Sequence, residues 1–285
     1  MNMSKKPIVA ILYDFDSTLA TSDMQNFGFI PSLGMTPAEF WGKTTEFSNK
    51  SGVERTLSYL YMMAYMTKQK GIKMTKEWLG EQGKNIEFFP GVLTWFKRIN
   101  DFGDSCGVKV EHYLISSGNK EIVDGCPIAK EFKVVYACEF LFDDVTKEPI
   151  WPKLAINYTQ KTQYFFRISK GVYDATDDAG VNEKRPDRRV PYSNIIYIGD
   201  GMPVMDGYES CRAIRSEERD DAKTIPIIAM TADAFEEQLN QARASGMNAA
   251  ITKPIDPKKL FEELSHFLGD KAILSNEETK KDPRR

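Results

Sequence analysis

Residues 13–19, YDFDSTL, put two carboxylates, Asp14 and Asp16, and one hydroxyl, Thr18, at the end of the apolar run IVAILY. An apolar run ending in acids reads as a buried parallel strand. In open parallel sheets, ligands bind beyond the carboxyl ends of the strands. Two carboxylates there can hold Mg²⁺, which prefers hard oxygen ligands. One of them can also attack a phosphoryl group while the other moves a proton. Strand-end acids also cap helices and form turns, so the pair alone leaves both readings open. Three other residues bear on the choice. Ser116, in LISSG, ends a second apolar run with a hydroxyl and neighbouring N–H groups suited to phosphate oxygens. Lys161, in TQKTQ, sits near a helix start, where an ammonium would neutralise phosphate charge. Alone, Lys161 reads rather as a solvated helix lysine. Asp200 brings another acid to the end of the run NIIYIGD.

The elements that must position these groups follow from periodicity and punctuation. Between about residues 36 and 88 the pattern is helical. It opens with Thr36 as N-cap, Pro37 at the first helical position and Glu39 closing a capping box. The run LSYLYMMAYM, residues 57–66, supplies an apolar helix face, and Thr75 caps a further helix. A helix from near Pro90 to near Gly103 precedes the strand VKVEHYLISSG. CEFLFDDVTKEPIWP reads as a hairpin with Asp143 and Asp144 in its turn. A helix carrying Lys161 follows, and residues 173–190, polar and containing Pro and Gly, read as a surface loop. Beyond NIIYIGD, helix and strand alternate: DGYESCRAIRS, IPIIAMTA, DAFEEQLNQARASG, NAAITKPID, and a last helix capped by Asp256. Such alternation gives an α/β class with a mainly parallel, three-layer Rossmann-like sheet. Residues 269–285 are polar and charged and read as a disordered tail.

The order strand–DxDxT, strand–SxG, helix–Lys, strand–GD resembles the motif set of the haloacid dehalogenase-like (HAD) phosphohydrolases, over roughly residues 7–202. The resemblance is nearest to the phosphoserine-phosphatase-like members, which carry a helical cap between the first two motifs. It implies a core of residues 1–20 and 90–202 and a cap of residues 21–89. By position, Asp14 would be the nucleophile that forms an aspartyl-phosphate. Asp16 would protonate the leaving group and then activate water. Ser116 and Lys161 would bind phosphoryl oxygens, and Thr18 would order the loop. Asp14, the Asp16 carbonyl and Asp200 would hold Mg²⁺.

From Met202 the resemblance changes. MPVMDGYESCRAIR, IPIIAMTADAF and ASGMNAAITKPIDPKKL are similar to the second half of a response-regulator receiver domain, as far as about Phe267. There a strand-end Thr and the Lys of a Lys-Pro pair contact an acyl phosphate; here these would be Thr231 and Lys253. They could equally be retained with no phosphate to meet. Each family pattern lacks a part. The HAD set expects a second acid four residues after Asp200, where Val204 stands, and Asp206 reads better as a helix cap. A receiver expects its phospho-acceptor four residues before Pro203, where Gly199 stands, with Asp200 one place out of register. The receiver's first strand and its acid pair are missing too. The join falls at Gly201-Met202 with no linker-like segment, so residues 203–268 are expected to continue the HAD sheet outward with right-handed crossovers.

Bulk properties narrow the classes. The chain has 285 residues, long enough for one large or two ordinary domains, and 41% of them are hydrophobic. A net charge of −3 gives no electrostatic case for nucleic-acid binding. No apolar run approaches the ~20 residues of a membrane span, and the N-terminus does not read as a signal peptide. Four separated cysteines and two isolated histidines argue against zinc or thiol chemistry and for a reduced, cytoplasmic setting. The leading expectation is a Mg²⁺-dependent HAD phosphatase acting on a small phosphorylated metabolite, its turnover reduced by Val204. A receiver-like module with a phosphorelay signalling partner is the alternative, and an inactive fusion of the two families is the third.

Overall fold

A computed structural model describes residues 6–199, 207–216, 223, 226–231, 236–252, 262–263 and 266. Asp200, Val204, Asp206, Lys253, Asp256 and the tail at 269–285 lie outside these residues. The strands are β1 (Ile8–Tyr13), β2 (Lys109–Asn119), β3 (Val134–Phe142), β4 (Pro149–Leu154), β5 (Ile195–Ile198), β6 (Ile228–Thr231) and β7 (Ala249–Thr252). The helices are α1 (Phe29–Ser32), α2 (Pro37–Ser51), α3 (Arg55–Gln69), α4 (Lys76–Gly83), α5 (Val92–Ser105), α6 (Lys120–Asp124), α7 (Lys161–Lys170), α8 (Asp178–Asn182), α9 (Gly207–Ser216) and α10 (Glu236–Ala244).

The main sheet has the order β4-β3-β2-β1-β5. β1 and β5 are parallel, from Ala10 opposite Ile195 to Tyr13 opposite Ile198, and β3 and β4 form the expected antiparallel hairpin. β6 and β7 pair in parallel, and one parallel bridge, Tyr197 to Ile227, puts the start of the receiver-like strands beside β5. β6 and β7 make a two-stranded sheet of their own, which meets β5 at that single bridge, and the class is α/β with a mainly parallel main sheet.

Two compact units divide the chain. The first comprises Met1–Tyr13, Phe89–Tyr113 and Phe165–Arg285, the second Asp14–Phe88 and Leu114–Tyr164.

In the first unit, β1 is apolar along its length and almost wholly buried. At its end, the Tyr13 hydroxyl accepts from the Trp95 indole at 2.8 Å and meets His112 Nδ1 at 3.0 Å. The other ring nitrogen, Nε2, donates to Asn100 Oδ1 at 3.0 Å, so the neutral tautomer with its proton on Nε2 satisfies the set. Burial lowers the His112 pKa to about 4, below its ordinary 6.5. The unfolded chain takes this proton below about pH 6.5 and the folded chain does not until about pH 4. The stabilising difference is therefore present above pH 6.5 and is lost on acidification, to the extent of about 3 kcal/mol. Urea unfolding at pH 7 and pH 4.5 should show this loss. His112→Gln, which cannot take the proton, should lose less; an equal loss in both proteins would remove His112 as the cause.

The polar segment 173–190 is more ordered than its composition suggests. The Arg167 side chain, 2% exposed, donates to the carbonyls of Asp174 and Asp177 and to the Asp178 carboxylate. Lys170 donates to the carbonyls of Val181 and Glu183, and α8 forms between these anchors. Arg189 pairs with both oxygens of buried Glu111 at 2.7 and 2.8 Å. Two α7 cations and Arg189 thus order a segment that sequence reads as a surface loop.

In the second unit, α2, α3 and α4 start at side-chain caps. Thr36 and Glu39 form the full capping box of α2, Glu54 accepts from the N–H groups of Thr56 and Leu57, and Thr75 accepts from Trp78 N–H. The apolar run of α3 buries Tyr59, Leu60, Met62, Met63 and Met66, each worth roughly 1.5–3 kcal/mol when fully withdrawn from water. α4 lies directly on α6. A Cβ at Gly83 would fall 2.0 Å from the Ile122 carbonyl oxygen, and one at Gly125 would fall 1.8 Å from that of Gly80. Only glycine permits this backbone-to-backbone approach between α4 and α6.

Candidate active site

The loop after β1 winds around one carbonyl. The N–H groups of Thr18, Leu19 and Ala20 all donate to Phe15 C=O, at 3.3, 2.9 and 3.0 Å. Ser17 takes the left-handed conformation, φ 53°, to let the chain turn so tightly.

Asp14 is buried. Its Oδ1 accepts from Phe15 N–H at 2.8 Å, and its Oδ2 accepts from Lys161 Nζ at 2.5 Å, with both side chains 8% exposed. Asp16 is half-buried and accepts from Met24 N–H at 2.8 Å. Its pKa is raised well above the carboxylate range, chiefly by loss of water and then by the negative charges of Asp23 and Asp14. Thr18 is fully buried, and its hydroxyl has no hydrogen-bond partner.

Ser116 is fully buried on β2, and its Oγ accepts from Gly118 N–H at 2.9 Å. Its own proton is left to donate. Gly118 lies hard against the aspartate loop: a Cβ there would sit 2.1 Å from Met24 Cε and 3.0 Å from Asp16 Oδ2. Lys161 opens α7, after a turn capped by Asn157, which accepts from Thr159 and Gln160 N–H. A cation at a helix N-terminus opposes the helix dipole, and the buried Asp14 carboxylate supplies the compensating charge. The solvated-lysine reading is therefore overturned.

Asp14, Asp16, Thr18, Ser116 and Lys161 all belong to the second unit. Thr231 ends β6, its backbone in register with Thr252, and Lys253 and Asp200 fall outside the described residues. Among the described residues no three His, Cys, Asp or Glu side chains converge as a metal cluster. The donors present nonetheless suit a divalent cation. Asp14 and Asp16 are hard oxygen ligands, and the Asp14 charge raises the Asp16 pKa, a repulsion that a cation would relieve.

Sequence reasoning overlooked four residues here. Asp23 is a half-buried acid whose pKa burial also raises, and its charge reaches Asp16. Asn119 caps α6 by accepting from Ile122 N–H. Glu121 is 2% exposed, with one oxygen on Phe140 N–H at 2.9 Å and the other unpartnered. Tyr59, hidden in the apolar run of α3, donates to the Ser117 carbonyl at 2.7 Å. Asp23 had a local signal, as an acid in a turn closely following DxDxT; Tyr59 had none.

Comparison with known proteins finds two likenesses. A probable phosphoserine phosphatase from Vibrio cholerae, in unliganded form, superposes with a TM-score of 0.54 at 12% identity, covering 96% of this chain and 67% of that one. A HAD family hydrolase from Salmonella enterica serovar Typhi superposes at 0.52 with 16% identity, covering 94% and 72%. The chain shares the fold of these two structures. At such identities the likeness carries the fold alone. Residues 191–265 match the response regulator receiver domain family, so the match begins ahead of the Gly201-Met202 join and takes in β5. Probable histidine kinase 2 of Oryza sativa subsp. indica is 40% identical over 89 residues, 31% of this chain. The chain spans only 8% of that kinase's length. An uncharacterized protein of Borreliella burgdorferi is 26% identical over 230 residues, covering 72% of this chain and 79% of its own. The chain thus shares its fold with these hydrolase structures and carries a receiver-family match over residues 191–265.

Proposed function

We propose that this protein is a HAD-type phosphomonoester hydrolase that works through an aspartyl-phosphate on Asp14. The observation that carries the reading is the buried Lys161–Asp14 contact at 2.5 Å. It gives a strand-end carboxylate a cation that can also meet a phosphoryl oxygen. An Asp14 oxygen attacks phosphorus as the ester P–O bond breaks. Asp16, whose raised pKa lets it keep its proton closer to neutral pH, gives that proton to the departing alkoxide. Asp16 then takes a proton from the water that attacks phosphorus of the aspartyl-phosphate, the P–O bond to Asp14 breaks, and inorganic phosphate leaves with the Asp14 carboxylate restored. Ser116 O–H and Lys161 oppose the charge that builds on the phosphoryl oxygens. Mg²⁺, held by Asp14, the Asp16 carbonyl and Asp200, would supply further charge neutralisation.

Residues 21–89 act as a cap that screens a small phosphorylated metabolite, and Val204 in place of an acid slows turnover. A cytoplasmic setting belongs to this reading, on the strength of four separated, free cysteines. No nucleic-acid partner is part of this reading.

The expected result is p-nitrophenyl phosphate hydrolysis that needs added Mg²⁺ and stops with a chelator. Turnover indifferent to metal would remove the metal role.

The receiver match favours a second reading, a phospho-accepting module with a phosphorelay partner. Acetyl phosphate should then label Asp200 rather than Asp14, as peptide mapping would reveal. Neither turnover nor labelling would indicate an inactive fusion.

A further inference from the structure

The hydroxyl of Tyr59 and the hydroxyl of Ser116 meet the two ends of one peptide group. Tyr59, on α3 of the cap region, donates to the Ser117 carbonyl oxygen at 2.7 Å, and the Cys138 thiol donates to the same oxygen at 3.3 Å. The N–H of that peptide, carried by Gly118, donates to Ser116 Oγ at 2.9 Å. A peptide group is planar, so fixing its oxygen fixes the direction of its N–H. The plane has little room to rotate. The Gly118 Cα is boxed by Met24 and by Asp16 Oδ2, which a Cβ would meet at 2.1 and 3.0 Å. Tyr59 itself is almost fully buried, with its ring edge-on to Trp41 at 6.1 Å. Burial first, and then the neighbouring Cys138, Asp16 and Glu121, raise its pKa well above the ordinary tyrosine value, so the hydroxyl stays a donor.

We infer that Tyr59 is a positioning residue for the reaction proposed above: its hydroxyl, acting through the Ser117–Gly118 peptide plane, orients the Ser116 hydroxyl toward a phosphoryl oxygen. Ser116 Oγ already accepts from Gly118 N–H, so its proton must point away from that bond. Two donors on the Ser117 oxygen also polarise the peptide and strengthen its N–H as a donor. The inference rests on the phosphatase reading of the pocket and adds a cap residue that never touches the reacting atoms. It also gives the cap a second task besides screening substrate, because cap and phosphate-binding strand share this bond.

A double-mutant cycle tests it. Tyr59→Phe removes the hydroxyl and keeps the ring, and Ser116→Ala removes the group being oriented. The inhibition constant of inorganic phosphate against p-nitrophenyl phosphate hydrolysis, and kcat/KM, are measured for the parent, both single variants and the double variant. Tyr59→Phe should weaken phosphate about fivefold, the worth of one hydrogen bond. In the Ser116→Ala background the same change should cost about nothing. In the free protein, the Gly118 amide should exchange hydrogen faster in Tyr59→Phe than in the parent, as NMR would detect. Losses that multiply in an active parent, or a Tyr59→Phe protein indistinguishable from the parent, would overturn the positioning role alone. A parent that neither hydrolyses p-nitrophenyl phosphate nor binds phosphate would instead overturn the phosphatase reading and this role with it.

Discussion

Asp14→Asn should lower p-nitrophenyl phosphate hydrolysis by about 10⁴-fold, the scale on which loss of a covalent nucleophile is felt. The amide has the shape of the carboxylate but no lone pair basic enough to form the acyl phosphate. Its Oδ1 can still accept from Phe15 N–H, so the loop after β1 should keep its winding around the Phe15 carbonyl. What changes besides the chemistry is Lys161, whose ammonium loses its counter-charge in a buried place. The variant should therefore also be less stable than the parent. Single-turnover kinetics and urea unfolding on one preparation separate the two effects. Equal hydrolysis rates for variant and parent would rule out Asp14 as the nucleophile.

Lys161→Met should destabilise the fold by about 3 kcal/mol and slow hydrolysis by about 10²-fold. Methionine keeps the length and the apolar stem, so packing is roughly conserved. The Asp14 carboxylate keeps the bond from Phe15 N–H but loses its counter-charge, in a site with little water. Breaking a buried pair from one side is costly because the remaining charge has neither solvent nor partner. The pair as a whole contributes far less, since two desolvation costs offset its attraction. The double variant Asp14→Asn, Lys161→Met should accordingly regain much of the stability and none of the activity. Equilibrium unfolding of all four proteins completes the cycle. A Lys161→Met protein as stable as the parent would mean that the pair is solvated, against its burial in the structure.

Much of the site was legible because its signals are local. Asp14, Asp16 and Thr18 follow an apolar run within a few residues, and Ser116 ends another. Strands and helices announced themselves by period and by caps: Thr36 with Glu39, Thr75, and the glycine stop at Gly246, which has φ 93°. The hairpin turn was equally plain, with Asp143 accepting from Val145 and Thr146 N–H. Where the reading went astray, composition had stood in for contacts. The segment 173–190 is polar, yet Arg167 and Lys170 gather its carbonyls and α8 forms within it. Tyr59 lay in a Met- and Tyr-rich run whose bulk does belong to the helix core, so nothing distinguished its hydroxyl from its neighbours.

By itself the sequence determined the alternation of strand and helix, the placing of acids at strand ends, and the receiver likeness of the C-terminal part, though the family match starts earlier, at residue 191. Each depends on residues close together in the chain, where periodicity, capping and motif spacing act directly. The tertiary structure decided which polar groups lose water and to whom they turn. It set Lys161 on Asp14 across 147 positions, pressed Gly118 against Asp16, and brought Tyr59 to the Ser117 carbonyl. It also raised the Asp16 pKa by burial and by neighbouring charge. Desolvation and Coulomb energy depend on distance in space and on the surrounding medium, and neither is written in the order of residues along the chain.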